Sequence, residues 1–197
     1  MVFFRSSVMI RRMKALPNIL TSSRILIIPP LLYFLFIGEE WASWVALALY
    51  VYACITDFLD GYVAREMKTT SNVGKFLDPI ADKLLVIAVL FSLVALDRLQ
   101  GFIFLAGLTI ILREVFISGL REYLGPKNIQ VPVSRLAKWK TFAQMLSLGF
   151  LIMAVHSPFW IPSFFLGEVL IVIAALLSVL TAIDYTKLGL RHILSDQ

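Results

Sequence analysis

Six apolar runs, each about long enough to cross a bilayer, divide this chain, and short polar or charged segments separate them. Within the hydrocarbon core only a helix or a closed barrel satisfies its own backbone hydrogen bonds, and runs of this length are typical of helices. With 59% hydrophobic and 16% charged residues, the composition leaves little room for a soluble domain. The sequence therefore predicts an all-α, polytopic membrane protein with six transmembrane helices and a short N-terminal juxtamembrane segment. We place the helices near residues 19–37, 42–65, 76–96, 101–121, 136–156 and 163–186.

The distribution of Lys and Arg predicts how the bundle is oriented. If both termini lie in the cytoplasm, Arg98 is the only one of the 18 Lys and Arg residues near an outer loop. Because positively charged loops remain on the cytoplasmic side, we expect a multi-pass protein of the cytoplasmic (inner) cell membrane with both termini inside. This topology explains the net charge of +5, so the sequence does not indicate a nucleic-acid partner.

The same pattern divides the chain into three parts. Residues 1–18 form a basic juxtamembrane segment, 19–187 a six-helix membrane domain and 188–197 a cytoplasmic tail. Two interpretations of the basic segment stay open, because it suits contact with anionic membrane lipids as well as a disordered tail.

Four aspartates lie at the ends of the second and third apolar runs. A carboxylate near the centre of a membrane helix costs roughly 2.5–3.5 kcal/mol, and less near the interface, so four of them require a compensating partner. At about 100° per residue, Asp57 and Asp60 share one helix face, and Asp78 and Asp82 are one turn apart on the next helix. The loop 66–75 reverses the chain, so we expect the two acidic faces to meet at the cytoplasmic end of a helical hairpin.

Converging carboxylates repel one another unless cations lie between them, and all-oxygen ligands suit hard ions. The aspartates therefore predict a site for two divalent cations, Mg²⁺ or Mn²⁺, of the kind that clamps a phosphoryl group during in-line displacement. Gly61 and Ala64 lie on the same face as Asp57 and leave space for a ligand near the backbone. Two other interpretations stay open: small residues on membrane helices also serve helix packing, and intramembrane acids also serve ion or proton transport.

A fixed pattern of eight residues runs through this hairpin and reads Asp57-x2-Asp60-Gly61-x2-Ala64-Arg65-x8-Gly74-x3-Asp78-x3-Asp82. This pattern resembles the signature of the CDP-alcohol phosphotransferase (phosphatidyltransferase) family, and every fixed position is filled. Three further segments are similar to the bacterial branch of this family whose acceptor is sn-glycerol 3-phosphate, namely LPNILTSSRILIIP, LREVFISGLREYLG and VSRLAKWKTFAQM. The resemblance thus extends over most of the chain.

The resemblance implies a homodimer of six-helix subunits whose active site opens to the cytoplasm. It also implies that the phosphatidyl group of CDP-diacylglycerol is transferred to the 1-hydroxyl of sn-glycerol 3-phosphate, with release of CMP. Asp57, Asp60 and Asp78 would be metal ligands, and Asp82 would be the general base and also lie close to a metal. The alternatives are a sibling enzyme that uses inositol phosphate, serine or phosphatidylglycerol, and an ion-coupled transporter. The residues that would bind the CDP-lipid are Asp57, Gly61, Ala64, Arg65, Gly74 and Asp78.

The phosphate of the implied acceptor is a dianion, so its recognition requires cations near the metal site. Arg113 and Arg121 are eight residues apart on the fourth run and lie near one helix face, while Ser134 and Lys138 open the fifth. We expect these four residues to contact the acceptor phosphate. Arg113 lies deep in its helix and needs an anionic partner, which is either the substrate or a protein carboxylate such as Glu114.

Overall fold

The computed structural model describes residues 22–67, 72–125 and 134–195, which are helical apart from short connectors and contain no strand. The predicted all-α class is therefore confirmed. Each predicted apolar run contains one helix, whereas the basic segment 1–18 lies outside the described residues. In chain order the helices are α1 (Ser22–Ile37), α2 (Glu40–Met67), α3 (Asn72–Ala95), α4 (Gly101–Leu124), α5 (Arg135–Met153) and α6 (Ser163–Ser195).

Length and composition mark three of the described helices as membrane spans. The stretches Glu40–Leu59 of α2, Gly101–Leu124 of α4 and Ser163–Lys187 of α6 are each long and apolar enough to cross a bilayer. α1 is apolar but shorter over its described part, and α3 and α5 carry charged residues in their first halves. The chain is thus a membrane protein with several spans, and the crossing of the bilayer by α1, α3 and α5 stays a prediction.

Large apolar side chains cover much of the outer surface of the helices. Phe91 of α3 is 67% exposed, Leu112 of α4 is 61% exposed and Phe165 of α6 is 63% exposed. In water a surface of this kind promotes association, whereas in a bilayer it faces acyl chains that are equally apolar. The surface therefore agrees with membrane lipid as the solvent of these helices.

The chain divides into two compact units, Met1–Ser92 and Leu93–Gln197. In the first unit, α2 buries a face of small residues, because Ala42, Ala46 and Ala53 are fully buried and recur at helical spacing. Small side chains allow another helix to approach the backbone closely, which stabilises helix packing in a membrane. This face leads along α2 toward the predicted acidic site.

In the second unit, α6 packs against both α4 and α5. Ser147 of α5 donates a hydrogen bond from Oγ to the carbonyl oxygen of Gly167 in α6 over 2.8 Å. A Cβ atom built on Gly167 would lie 2.7 Å from Cγ of Leu151, whose side chain is completely buried, and 3.3 Å from the backbone nitrogen of the same residue. Close packing of α5 and α6 therefore requires glycine at position 167.

Arg98, the cation predicted near an outer loop, caps the C-terminal end of α5. It lies in the connector between α3 and α4, is buried, and donates hydrogen bonds to the carbonyl oxygens of Leu151 (3.2 Å) and Ile152 (2.6 Å). The last carbonyls of a helix lack intrahelical partners and carry partial negative charge, so a cation stabilises them. Burial lowers the pKa of the Arg98 guanidinium from its ordinary value. The position of Arg98 thus has a structural cause, and the orientation of the bundle stays a prediction.

The connector between the two acidic helices is shorter than the predicted loop 66–75. α2 continues to Met67 and α3 begins at Asn72, so Gly74 lies in the first turn of a helix. Polar and small residues suit the first turn of a helix as well as a loop, because its backbone N–H groups have no partners within the helix. The sequence pattern therefore placed these helix ends inaccurately.

The last helix is longer than predicted. α6 continues to Ser195 and so includes most of the segment 188–197 that the sequence assigned to a tail. The reason is tertiary packing, since Gly189 is buried and a Cβ atom there would lie 2.9 Å from Cδ1 of Leu120 in α4. This contact extends the α4–α6 packing beyond the apolar run.

Replacing Gly167 with alanine tests the α5–α6 packing. Gly167→Ala should lower the free energy of unfolding by about 1–3 kcal/mol, because the added methyl group overlaps the buried Leu151. Gly119→Ala is the matched control: nothing lies within 4 Å of a Cβ atom at that helical position, so alanine should stabilise the protein by about 0.5–1 kcal/mol. Thermal unfolding in detergent micelles measures both effects, and equal effects would contradict the close packing at Gly167.

Candidate active site

α2 and α3 preserve the helical register that was predicted for the acidic residues. Asp57 and Asp60 lie in the uninterrupted helix α2, and Asp78 and Asp82 lie in α3. At about 100° per residue, Asp57 and Asp60 continue the face that α2 buries through its three alanines. The acidic residues therefore extend a packed helix face toward the end of the helix.

The carboxylates of Asp57 on α2 and Asp82 on α3 both lie near the Cys54 thiol of α2, and the meeting of all four acidic residues stays a prediction. The side chain of Asp57 is 34% exposed and Asp82 is half-buried. Both carboxylates are close enough to the Cys54 thiol to interact with it electrostatically, and this thiol shares a hydrogen bond with the Tyr50 hydroxyl.

The predicted site residues whose side chains lie outside the described ones are Asp60, Gly61, Ala64, Arg65, Gly74 and Asp78.

Asp57 forms an ion pair with Arg24, a residue that the sequence-based predictions missed. Arg24 lies in α1 with its side chain only 1% exposed, and its Nη1 donates a hydrogen bond to Oδ1 of Asp57. Hydrogen bonds between ionised groups are among the strongest in proteins. The sequence held a signal for this pair, because Arg24 is the one charged residue in the first apolar run and a charge in such a run requires a partner.

The described acidic side chains fit a divalent cation. Asp57 and Asp82 offer carboxylate oxygens, the ligands that Mg²⁺ and Mn²⁺ prefer. Arg24 holds one oxygen of Asp57, as hydrogen-bond partners commonly orient metal ligands. Among the side chains that the structure describes, no three acidic, His or Cys groups are arranged so that they could hold a metal ion, and two of the four predicted carboxylates lie outside that set. The binding of divalent cations and their number therefore stay predictions.

A second polar site joins α4, α5 and α6 within the second unit. The Arg113 guanidinium donates hydrogen bonds to Oε1 of Glu114 (3.1 Å) and to Oγ1 of Thr181 (2.9 Å), and Lys140 forms an ion pair with the same Glu114 oxygen. Glu114 thus compensates two buried cations at once. The sequence analysis left two partners open for Arg113, the substrate or a protein carboxylate. In this structure the partner is the carboxylate of Glu114.

The predicted acceptor-binding residues meet at Tyr185 of α6, which the sequence-based predictions did not include. The guanidinium carbons of Arg113 and Arg121 lie 5.7 Å and 5.3 Å from the centroid of its ring. The backbone N–H of Ser134 donates a hydrogen bond to the Tyr185 hydroxyl over 3.3 Å, while Oγ of Ser134 accepts one from the Ala137 N–H and caps α5. Three of the four predicted residues are therefore brought together by one aromatic side chain.

Two hollows lie beside these residues. One, of about 320 Å³, is lined by the Arg113 side chain together with Thr186 and Lys187 and by apolar residues of α6. Lys138, the fourth predicted residue, lines a separate and exposed hollow of about 410 Å³ with Trp139 and other residues of α5. The described contacts do not join Lys138 to Tyr185, and Lys187 is a cation near Arg113 that the sequence-based predictions missed.

The first unit holds acidic side chains with a buried arginine, and the second unit holds a cluster of cations. Both features are typical of integral membrane proteins that act on charged, phosphate-containing substrates. The chain belongs to the CDP-alcohol phosphatidyltransferase family, whose model matches residues 14–180. The family resemblance predicted from the aspartate pattern is therefore confirmed.

Named relatives match almost the whole chain. A Rickettsia typhi protein is 43% identical over 175 residues, which cover 89% of this chain and 97% of the relative. A Rickettsia prowazekii protein is 42% identical over 174 residues, covering 88% and 94%, and a Haemophilus influenzae protein is 33% identical over 183 residues, covering 92% and 96%. All three relatives are named CDP-diacylglycerol–glycerol-3-phosphate 3-phosphatidyltransferase.

The Arg24–Asp57 pair predicts strongly coupled effects in a double-mutant cycle. Arg24→Met and Asp57→Asn should each lower the free energy of unfolding by about 1–3 kcal/mol, below the usual cost of breaking a fully buried pair because Asp57 is partly exposed. The double variant should be no less stable than the less stable single variant, because it removes both charges and leaves no unpaired charge behind. Thermal unfolding in detergent measures the cycle. Effects that add within about 0.5 kcal/mol would contradict the coupling.

Proposed function

We propose that this protein transfers the phosphatidyl group from CDP-diacylglycerol to sn-glycerol 3-phosphate, which gives phosphatidylglycerophosphate and CMP. The observation that carries the proposal is the match to relatives bearing this enzyme's name over nearly their full length, 97% of the Rickettsia typhi protein. The carboxylates of Asp57 on α2 and Asp82 on α3, both near Cys54, supply groups that this reaction needs. Fold alone would not distinguish functions, so the proposal depends on the site and the relatives together.

The acidic residues have two roles in this proposal. Asp57, Asp60 and Asp78, with Asp82 close by, hold two divalent cations, Mg²⁺ or Mn²⁺, and Arg24 keeps Asp57 oriented. Such ions, when bound, neutralise the pyrophosphate and the leaving phosphate. The oxygen chemistry of the carboxylates supports this assignment. The side chains proposed to border the cytidine and pyrophosphate are Gly61, Ala64, Arg65 and Gly74.

Asp82 accepts the proton of the attacking alcohol. The 1-hydroxyl oxygen of glycerol 3-phosphate forms a bond to the phosphorus that carries the diacylglycerol, and the bond from that phosphorus to the bridging oxygen breaks. The bridging oxygen leaves with CMP, while the hydroxyl proton passes to the Asp82 carboxylate. The half-buried position of Asp82 on α3 supports this role, because a base must be reachable by substrate and shielded from bulk water.

The cluster around Tyr185 recognises the phosphate of the acceptor in this proposal. Arg113, Arg121 and Lys140 supply three positive charges, of which Glu114 cancels one, so the cluster keeps an excess of positive charge. That excess positive charge suits a phosphate dianion, and one guanidinium group can bind two phosphate oxygens at once. Ser134 and Lys138 extend the same role to the start of α5, with Ser134 already in contact with Tyr185.

The proposal includes a location and an assembly. Because the cations other than Arg98 fall toward one side in the predicted topology, and Arg98 is buried as a helix cap, we place both termini and the active site in the cytoplasm. The family resemblance supports a homodimer, and exposed apolar helix faces offer surface for lipid and for a second subunit.

An acceptor assay tests the proposed reaction. Purified protein with CDP-diacylglycerol and Mg²⁺ or Mn²⁺ should release CMP with glycerol 3-phosphate, and EDTA should abolish release. Parallel arms contain inositol phosphate, serine, phosphatidylglycerol or no acceptor. Release with a different acceptor alone would keep the chemistry and refute the substrate, and folded protein that releases no CMP with any acceptor would refute the reaction.

Two substitutions separate the roles of the aspartates. Asp82→Asn should reduce kcat by about 10²-fold or more and leave CDP-diacylglycerol binding within a few-fold, because it removes the proton acceptor. Asp57→Asn should weaken divalent-cation binding and CDP-lipid binding together. Asp97→Asn is the control, since Asp97 is an exposed connector residue with φ 57°, a conformation that asparagine accepts. Calorimetric binding and CMP release measure the effects, and equal binding losses in both variants would contradict this division.

A further inference from the structure

Tyr185 occupies an unusual electrostatic position. It is 5% exposed near the end of the α6 membrane span, and the guanidinium groups of Arg113 and Arg121 lie against its ring. Two like charges gathered at one ring repel each other, so the arrangement needs a source of stability. Attraction between a guanidinium and the negative face of an aromatic ring is one source, and it is stronger away from water.

The two arginines are held differently. Arg113 also binds Glu114 and Thr181, which fix its guanidinium from two sides. Arg121 is exposed, and its described contact is with the Tyr185 ring. Because an exposed arginine samples many rotamers, its position depends most on that ring. Removing the ring should therefore affect Arg121 more than Arg113.

The hydroxyl of Tyr185 adds a third connection. It accepts a hydrogen bond from the backbone N–H of Ser134, the residue that caps α5. The ring and the hydroxyl together thus connect α6 to two cations of α4 and to the first turn of α5. Each of these three groups belongs to the set proposed to recognise the acceptor phosphate.

We propose that Tyr185 is a positioning residue for acceptor recognition: its ring holds Arg113 and Arg121, and its hydroxyl holds the start of α5, where the acceptor phosphate binds. This inference rests on the proposed function. Tyr185 acts through the arginines and does not itself contact the reacting atoms. Tyr185 sets the affinity for the acceptor and does not change the affinity for CDP-diacylglycerol.

Substitution of Tyr185 should separate the two substrates kinetically. Tyr185→Leu should raise the KM for glycerol 3-phosphate by about tenfold or more and leave the KM for CDP-diacylglycerol within about twofold. Tyr185→Phe keeps the ring, so it should restore most of the acceptor affinity and leave a smaller increase from the lost hydroxyl contact. Tyr33→Leu, at an exposed tyrosine of α1, is the matched control and should change neither KM.

A fluorinated series tests the ring without disturbing the fold. Phenylalanine with one, two or three ring fluorines at position 185 keeps the shape of the side chain and progressively weakens the negative ring face. The KM for glycerol 3-phosphate should rise stepwise along the series, while thermal unfolding and the KM for CDP-diacylglycerol stay constant. This series decides the question even where Tyr185→Leu fails to fold.

The outcomes distinguish the inference from the proposed function. If wild-type protein releases no CMP with glycerol 3-phosphate, the proposed function and this inference both fail. If wild-type protein is active and the acceptor KM stays flat through the fluorinated series and Tyr185→Phe, the role of Tyr185 is refuted and the proposed function stands. Parallel increases in both KM values would assign Tyr185 a general structural role and would also refute the inference.

Discussion

The ion pair between Arg24 and Asp57 offsets the cost of placing one charged residue in each of two helices, α1 and α2. A guanidinium inside an apolar helix and a carboxylate near the end of the membrane span of α2 are each costly in a membrane, and each compensates the other. The pair thereby ties α1 to α2 at the position where the acidic residues begin. Because Asp57 stays partly exposed while Arg24 is buried, the pair leaves the carboxylate facing the site and directs the arginine into the protein.

Charge compensation also organises the second unit, where each described buried cation has an oxygen partner. Arg98 binds the last carbonyls of α5, so a cation on the predicted outer side stabilises a helix end. Glu114 joins Arg113 to Lys140 and thereby connects α4 to α5. These pairs form among helices whose outer faces are apolar. Polar contacts therefore specify how these apolar helices pack, a role that hydrophobic burial does not fill in a lipid environment.

The sequence predicted the helices and the family better than it predicted which side chains contact each other. Apolar length alone located one helix in each predicted run, because the bilayer imposes that length. The register of the aspartates followed from helical geometry. Arg24 and Tyr185 were missed because their roles depend on contacts between residues far apart in the sequence. Arg24 contacts Asp57, 33 positions away, and Tyr185 contacts Ser134 and Arg121, 51 and 64 positions away. The end of α6 was missed for the same reason, since its packing at Gly189 is tertiary.

Arg113 and Arg121 show two ways of holding a cation, and the difference bears on function. A carboxylate fixes a guanidinium and cancels its charge, whereas an aromatic ring fixes it and leaves the charge intact. Glu114 is shared between two cations, and Tyr185 faces two arginines without adding an anion. A site that must attract a phosphate dianion needs its cations both ordered and incompletely neutralised. Full pairing with carboxylates would order the cluster and remove its attraction for the substrate, so a buried tyrosine suits this position better than another acid.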